Sequence, residues 1–427
     1  MAQRHMRLER LRWTILGLLF FSTVINYLDR QAMSVLLPTL RAQLGFTSAD
    51  YGKVTTVFFL AYALSQIPAG MWIDKVGVLL GFSVFIVGWS CAALLTGLAG
   101  GIISLGLAQG MMAMFEAGCW PAGTKAVADC FPQQRRAFSM AVFDSGAAVG
   151  AVIAVPLVAL LAVQFGWRAA FFIVASLGFL WTFAWCWVYR APTAHPWLAA
   201  EDRAVARAEL GAPLPKRPGF GVALRRIVGE RQLWGLILTR TLSTPVWWFY
   251  VFWLPDYLSM GRGFSLKEIG LYAWIPLLAV DIGKIAGGAA SDRLLVRGYS
   301  ATLARKSVMV VGALLMICGT KVVGAPSSAA ALAWVCAAMF GYGMWGSNIL
   351  ALHADIFAAD TMGTAVGATS VAASLGAAAF TYAVGQLVDR AGYGPAFWIA
   401  GSLPMTACVP LILQVGRVGR IGSIRAI

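Results

Sequence analysis

Eight ionisable side chains stand away from the ends of otherwise apolar stretches: Asp29, Arg30, Glu116, Lys125, Asp144, Arg240, Asp281 and Lys284. A charge at hydrocarbon depth costs about 3 kcal/mol or more unless it faces a protein interior or a water-filled cavity. Asp29 has Arg30 as its chain neighbour, whereas Glu116 stands with no evident partner. Burial disfavours the charged form of a carboxyl and a nearby cation favours it. A carboxyl whose surroundings change between two states therefore takes up and releases a proton, and Glu116 and Asp29 are the candidates for that role. The guanidinium of Arg30 offers two parallel N–H donors and stays charged, which suits it to hold a carboxylate. The plainer alternative is that Arg30 only neutralises Asp29.

The other charges each carry two readings. Lys125 and Arg240 either contact a solute or snorkel toward the water. Asp281 and Lys284 are spaced i, i+3 and can meet on one helix face as a self-neutralising pair. Asp144 is either a buried protonated acid or a gate contact. Polar and aromatic residues that could line a solute site are Tyr62, Gln66, Trp247, Trp248, Tyr250, Trp345, Ser347, Asn348, Thr369, Ser370 and Ser374. Aromatic faces stack on sugar rings, and amides and hydroxyls read their hydroxyl groups. Tryptophans in apolar segments also serve as interfacial anchors.

The elements that must position these residues are membrane helices. The chain of 427 residues is 59% hydrophobic and 12% charged, against about 25% charged residues in soluble domains. A window of roughly 20 apolar residues per crossing gives twelve segments: 13–37, 51–73, 78–98, 101–128, 137–162, 168–190, 232–258, 268–291, 306–323, 329–353, 363–388 and 394–414. The expected fold is an all-α membrane protein with twelve transmembrane helices. The first segment is too long for a signal-peptide core and lacks a small-residue cleavage site, so it is expected to be retained.

The formal net charge of +15 would suit a nucleic-acid partner, but its distribution excludes that reading. With the N-terminus inside, the inside loops hold 22 Lys and Arg residues and the outside loops five. That bias places both termini in the cytoplasm. The seven cysteines have no CxxC spacing, and the histidines, His5, His195 and His353, make no metal-ligand spacing. No GxxxxGK[ST] sequence is present, so direct use of ATP is not expected. Neither a nucleophile–base set nor a metal set points to an enzyme, and no cofactor is expected.

The one long polar segment, Arg190 to Arg231, contains five prolines and an amphipathic stretch at Leu198–Leu210. It divides the chain into a half at 1–190, a cytoplasmic linker at 191–231 and a second half at 232–427, with six spans in each half. The loop after the second span carries Gly70, Asp74 and Lys75, and the loop after the eighth carries Gly288, Asp292 and Arg293. Two matches of a Gly followed by Asp-Arg/Lys at equivalent places mark an internal repeat. Six-span halves with a solute site at the midplane are the plan of major facilitator transporters.

The stretches Asn26-Tyr27-Leu28-Asp29-Arg30, Glu116 to Ala128 and Pro245 to Pro255 resemble the anion:cation symporter branch of that family, and within it the bacterial hexuronate and sugar-acid transporters, from about residue 12 to 414. The resemblance implies proton coupling through the matching Asp29 and Glu116, and a substrate carboxylate held by Arg30. It departs at Gln109, where sugar-acid transporters often carry an arginine two helical turns before the glutamate. The expectation is a proton-coupled symporter that imports a sugar-acid monocarboxylate by alternating access, with protons as coupling ion. It is expected to be a monomer in the bacterial inner membrane, partnered by lipid and its small anionic substrate. Alternatives are the same fold acting on another organic anion (an aromatic acid, tartrate or glucarate) or a non-transporting anion sensor.

Overall fold

The computed structural model describes residues 2–210, 220–358 and 361–416, with the side chains of all but 2–6, 137 and 220. Lys216, Arg217, Arg417, Arg420 and Arg425, part of the charge asymmetry, lie outside the described residues, as does the side chain of Arg4. The helices are α1 (Ala2–Val35), α2 (Leu37–Leu44), α3 (Ser48–Val76), α4 (Val78–Gly97), α5 (Ile102–Glu116), α6 (Cys119–Cys130), α7 (Gln133–Phe165), α8 (Trp167–Val188), α9 (Ala200–Leu210) and α10 (Phe220–Ile227). There follow α11 (Arg231–Arg262), α12 (Leu266–Tyr272), α13 (Ile275–Val296), α14 (Ala301–Met316), α15 (Ser328–Ile356), α16 (Met362–Ala391) and α17 (Tyr393–Leu413). Among the described residues there is no strand. In hydrocarbon every backbone polar group must be satisfied within the chain, and helices do this segment by segment.

Eleven helical stretches among the described residues are long and apolar enough to cross a membrane. Of the twelve segments expected, 232–258 falls outside that set. It lies in α11, a helix of 32 residues. Its tryptophans, tyrosines, hydroxyls and prolines, Pro245 and Pro255 among them, lower its hydropathy without breaking the helix.

Three expected spans are interrupted, each just upstream of a proline. Proline lacks the N–H that would reach the carbonyl four residues back, and its ring crowds that carbonyl. Pro38 lies beyond the break between α1 and α2, and Pro276 beyond the break between α12 and α13. Pro121 cannot bond to Ala117, and the chain leaves the helix at Ala117–Gly118, directly after Glu116. A side chain on Gly118 would stand 2.2 Å from the Phe85 ring of α4, so this break also requires glycine.

The described residues form two compact units, those of 2–36 with 64–210 and those of 37–63 with 220–416. In the first, α1 packs on α7 and α8, and α4 packs on α5 and α8. The helix α9 docks there as well: Arg12, 1% exposed, pairs with Glu209 at 2.7 Å and Glu9 at 3.0 Å. In the second unit, α15 packs on α13 and α14, and α11 on α16 and α17. The crossing of α13 with α15 is backbone on backbone, since a Cβ on Gly343 would lie 2.1 Å from the Val280 carbonyl oxygen.

Residues 37–63 are attached to the second unit by polar contacts. The Asp389 carboxylate accepts from the backbone N–H groups of Ser48 and Ala49 at 2.9 and 2.8 Å, capping α3. Arg41 pairs with the fully buried Asp256 at 2.9 Å, and Tyr393 donates to the same carboxylate. Thr55 and Thr381 share a hydrogen bond of 2.8 Å. The segment expected with the first half therefore packs with the second unit.

Candidate functional site

In the first unit, α1 and α5 bring Arg30 onto Glu116. Arg30 Nε donates to Glu116 Oε2 at 2.8 Å, and Nη2 donates to the same oxygen. Both side chains are buried, at 3% and 0% exposure. Glu116, which shows no evident partner in the sequence, thus has one in Arg30. Adjacent residues on a helix do not face each other, so Arg30 reaches across to α5 instead. Asp29 is 1% exposed, with the indole N–H of Trp89 on α4 as its neighbouring donor and no cation paired with it among the described residues. Glu116 Oε1 has no hydrogen-bond partner among the described residues. Two carboxyls and one guanidinium are thus buried beside a helix break that Pro121 and Gly118 impose. The Arg30 guanidinium also lies 5.4 Å from the centroid of the Tyr27 ring.

Gln109, two turns before Glu116 on α5, is 3% exposed and donates to Thr96 of α4 at 3.2 Å. Lys125 does not join the Glu116 site. Its ammonium sits 2.9 Å from Asp74 and 3.1 Å from the Ile73 carbonyl, in the Gly70–Asp74–Lys75 loop motif. In the second unit the equivalent aspartate, Asp292, pairs with Arg305 at 2.9 Å, and Arg305 also reaches Ser291 at 2.6 Å and Asp355 at 3.4 Å. Each loop aspartate takes its cation from another helix rather than from Lys75 or Arg293.

A second polar cluster lies where α11, α15 and α16 meet in the second unit. Arg240 Nη1 donates to Thr369 Oγ1 and Ser370 Oγ, both at 3.0 Å. His353, 0% exposed, holds Thr369 through Nε2 at 3.0 Å and the Ile349 carbonyl through Nδ1 at 2.8 Å. Ser374 turns back to the Ser370 carbonyl at 3.0 Å. Asn348 spends its amide N–H groups on the carbonyls of Met344 and Gly287 at 2.9 and 3.2 Å, and its carbonyl oxygen is buried without a partner. Trp345 is buried in the helix packing at 1% exposure. Trp248 lies 5.3 Å from Phe59 and 5.6 Å from Phe252, ring to ring, and Tyr62 stacks on Phe58 at 6.2 Å. Gln66, one turn beyond Tyr62 on α3, belongs to the first unit. Asp281 and Lys284 pair with each other at 2.9 Å, and Asp144 is exposed rather than a buried acid.

Residues 19–381 match the Major Facilitator Superfamily. The chain belongs to this family. It is a multi-pass membrane transporter and not an enzyme. It is 33% identical over 398 residues to a hexuronate transporter of Escherichia coli (strain K12), covering 92% of this chain and 91% of the relative. A galacturonate transporter of Dickeya chrysanthemi is 32% identical over 313 residues, 73% of this chain and 90% of the relative. The crystal structure of a D-xylose-proton symporter superposes with a TM-score of 0.74 at 14% identity, covering 95% of this chain and 98% of that one, which is a likeness of fold.

Within the transporter, sequence reasoning missed His353, Arg305 and Asp355. The first carried no metal spacing, and the other two lie at or beyond the ends of expected spans, where charges are ordinary. Their roles arise from contacts across 13 to 50 residues that no local pattern encodes.

Proposed function

We propose that the protein is a proton-coupled symporter that imports a sugar-acid monocarboxylate, a hexuronate or an aldonate, by alternating access. The observation that carries this reading is the buried Arg30–Glu116 pair with a second buried carboxyl, Asp29, one residue from Arg30 in the chain. A buried charge without a partner is costly. Two acids with one guanidinium leave one acid without a counter-charge, so a proton is the natural counter-ion. When Glu116 takes up a proton its hold on Arg30 weakens, and the guanidinium turns its donors to the substrate. Proton and anion then enter together. The sugar-acid class follows the relatives, which are named for hexuronate and galacturonate. In this reading α11 supplies a twelfth span, both termini are cytoplasmic, and the monomer resides in a bacterial inner membrane.

The test is uptake of D-galacturonate by proteoliposomes holding the purified protein. Uptake rises as external pH falls, and Glu116→Gln abolishes accumulation against a gradient while leaving exchange of internal for external substrate. Unchanged uphill uptake by Glu116→Gln would overturn the assigned role. A second reading, the same transporter acting on another organic anion, is favoured by Gln109, whose neutral contact with Thr96 stands where the resembling transporters carry a cation. A thermal-shift screen of hexuronates, aldonates, aldarates and aromatic acids separates the two.

A further inference from the structure

Among the described residues Arg240 has no anionic partner. The ion pairs among the described residues of its unit join Arg41 to Asp256, Lys53 to Asp50, Lys284 to Asp281, and Arg305 to Asp292 and Asp355, and none includes Arg240. Its hydrogen bonds go to the neutral hydroxyls of Thr369 and Ser370. Arg240 is half-buried in α11; charges within membrane spans are normally paired, and a guanidinium set among neutral donors and acceptors offers that pairing to a ligand. Arg30, by contrast, already has its charge met by Glu116.

We propose that Arg240, Thr369 and Ser370 form a carboxylate-binding site of the second unit, and that this site makes the transporter prefer an acid to a neutral sugar. The proposal rests on the sugar-acid reading above. The chemistry is that of a guanidinium fork with a hydroxyl beside it. One carboxylate oxygen accepts from the guanidinium and the other from the Ser370 hydroxyl, whose oxygen now accepts from Arg240. His353 is a positioning residue. The Ile349 carbonyl can only accept, so the ring hydrogen belongs on Nδ1 and Nε2 is left to accept from Thr369. The single Thr369 hydroxyl hydrogen is then shared between the ring and the Val366 carbonyl at 3.0 Å, and a lone pair is left to accept from Arg240, which fixes the guanidinium.

The test measures binding of D-galacturonate and of its neutral amide to the purified full chain. The wild type is expected to prefer the acid by about a hundredfold, the range of hydrogen bonds to a charged group. Arg240→Gln should bind the amide as the wild type does and lose most of that preference, with Arg240→Lys keeping a part of it. His353→Leu should narrow the preference by about tenfold at most without removing amide binding. A folded Arg240→Gln that keeps the full preference overturns the proposal, and so does one that loses acid and amide equally, since that marks a packing role. If Arg240→Gln does not fold, Ser370→Ala takes its place, and an unchanged preference there is likewise fatal. A wild type that binds both ligands equally overturns the site alone. One that binds neither overturns the sugar-acid reading and this site with it.

Discussion

At the scale of single residues, the pairing of Arg30 decides what the interior charges can do. Sequence adjacency suggested Asp29, and helix geometry sends Arg30 to Glu116. The presence of a charged cluster was legible, because charges in apolar segments are conspicuous. Its wiring was not, because partners 86 residues apart leave no mark in either segment. Removing one member of a buried pair strands the other, at a cost of about 3 to 5 kcal/mol. Glu116→Ala is therefore expected to lower thermal stability in detergent markedly. Glu116→Gln, which keeps a hydrogen-bond acceptor for Arg30, should lower it less. Lys125 makes the opposite case. Its partner Asp74 is 79% exposed, and such pairs contribute about 1 kcal/mol at most. Lys125→Ala should leave both stability and affinity for galacturonate nearly unchanged, and a large loss of affinity would return Lys125 to the substrate site.

At the scale of elements, proline and glycine account for most departures from the expected spans. Hydropathy windows locate apolar stretches, but they are blind to where a helix stops within one. Pro38, Pro121 and Pro276 are visible in the sequence, yet the same residue passes through helices intact at Pro68 and Pro156. The breaks are thus legible as candidates and assigned only by the fold. Close crossings are similar: a glycine in an apolar helix gives no hint of which carbonyl lies against it. Gly343→Val would drive branched carbons into the Val280 carbonyl and the backbone of Gly283. Overpacking of this kind typically costs about 1 to 3 kcal/mol or more, so a depressed melting temperature is expected, with Gly346→Val as the tolerant control because its nearest neighbour atom is 4.0 Å away.

At the scale of the molecule, the long polar segment announced two halves, but it said nothing of residues 37–63. Their attachment depends on Asp389, Asp256 and Thr381, all more than 200 residues away in the chain. Only long-range pairing, which no periodicity records, reveals it. Losing the cap that Asp389 gives to α3 should free this segment. In Asp389→Ala, a cysteine introduced at Ser48 is expected to react with a water-soluble thiol reagent faster than in the parent background. An equal rate would show that the other contacts suffice.

The path of the chain has a mechanical consequence. It passes from one unit to the other three times, at residues 36–37, at 63–64 and between 210 and 220, rather than once. The linker is therefore not the sole tether. A chain cut between residues 211 and 219 still has its first fragment threaded into the second unit through 37–63. Two separately encoded fragments should copurify and assemble, whereas a cut that also detaches 37–63 should not. The linker expected at 191–231 is thus one of three places where the chain ties the two units together.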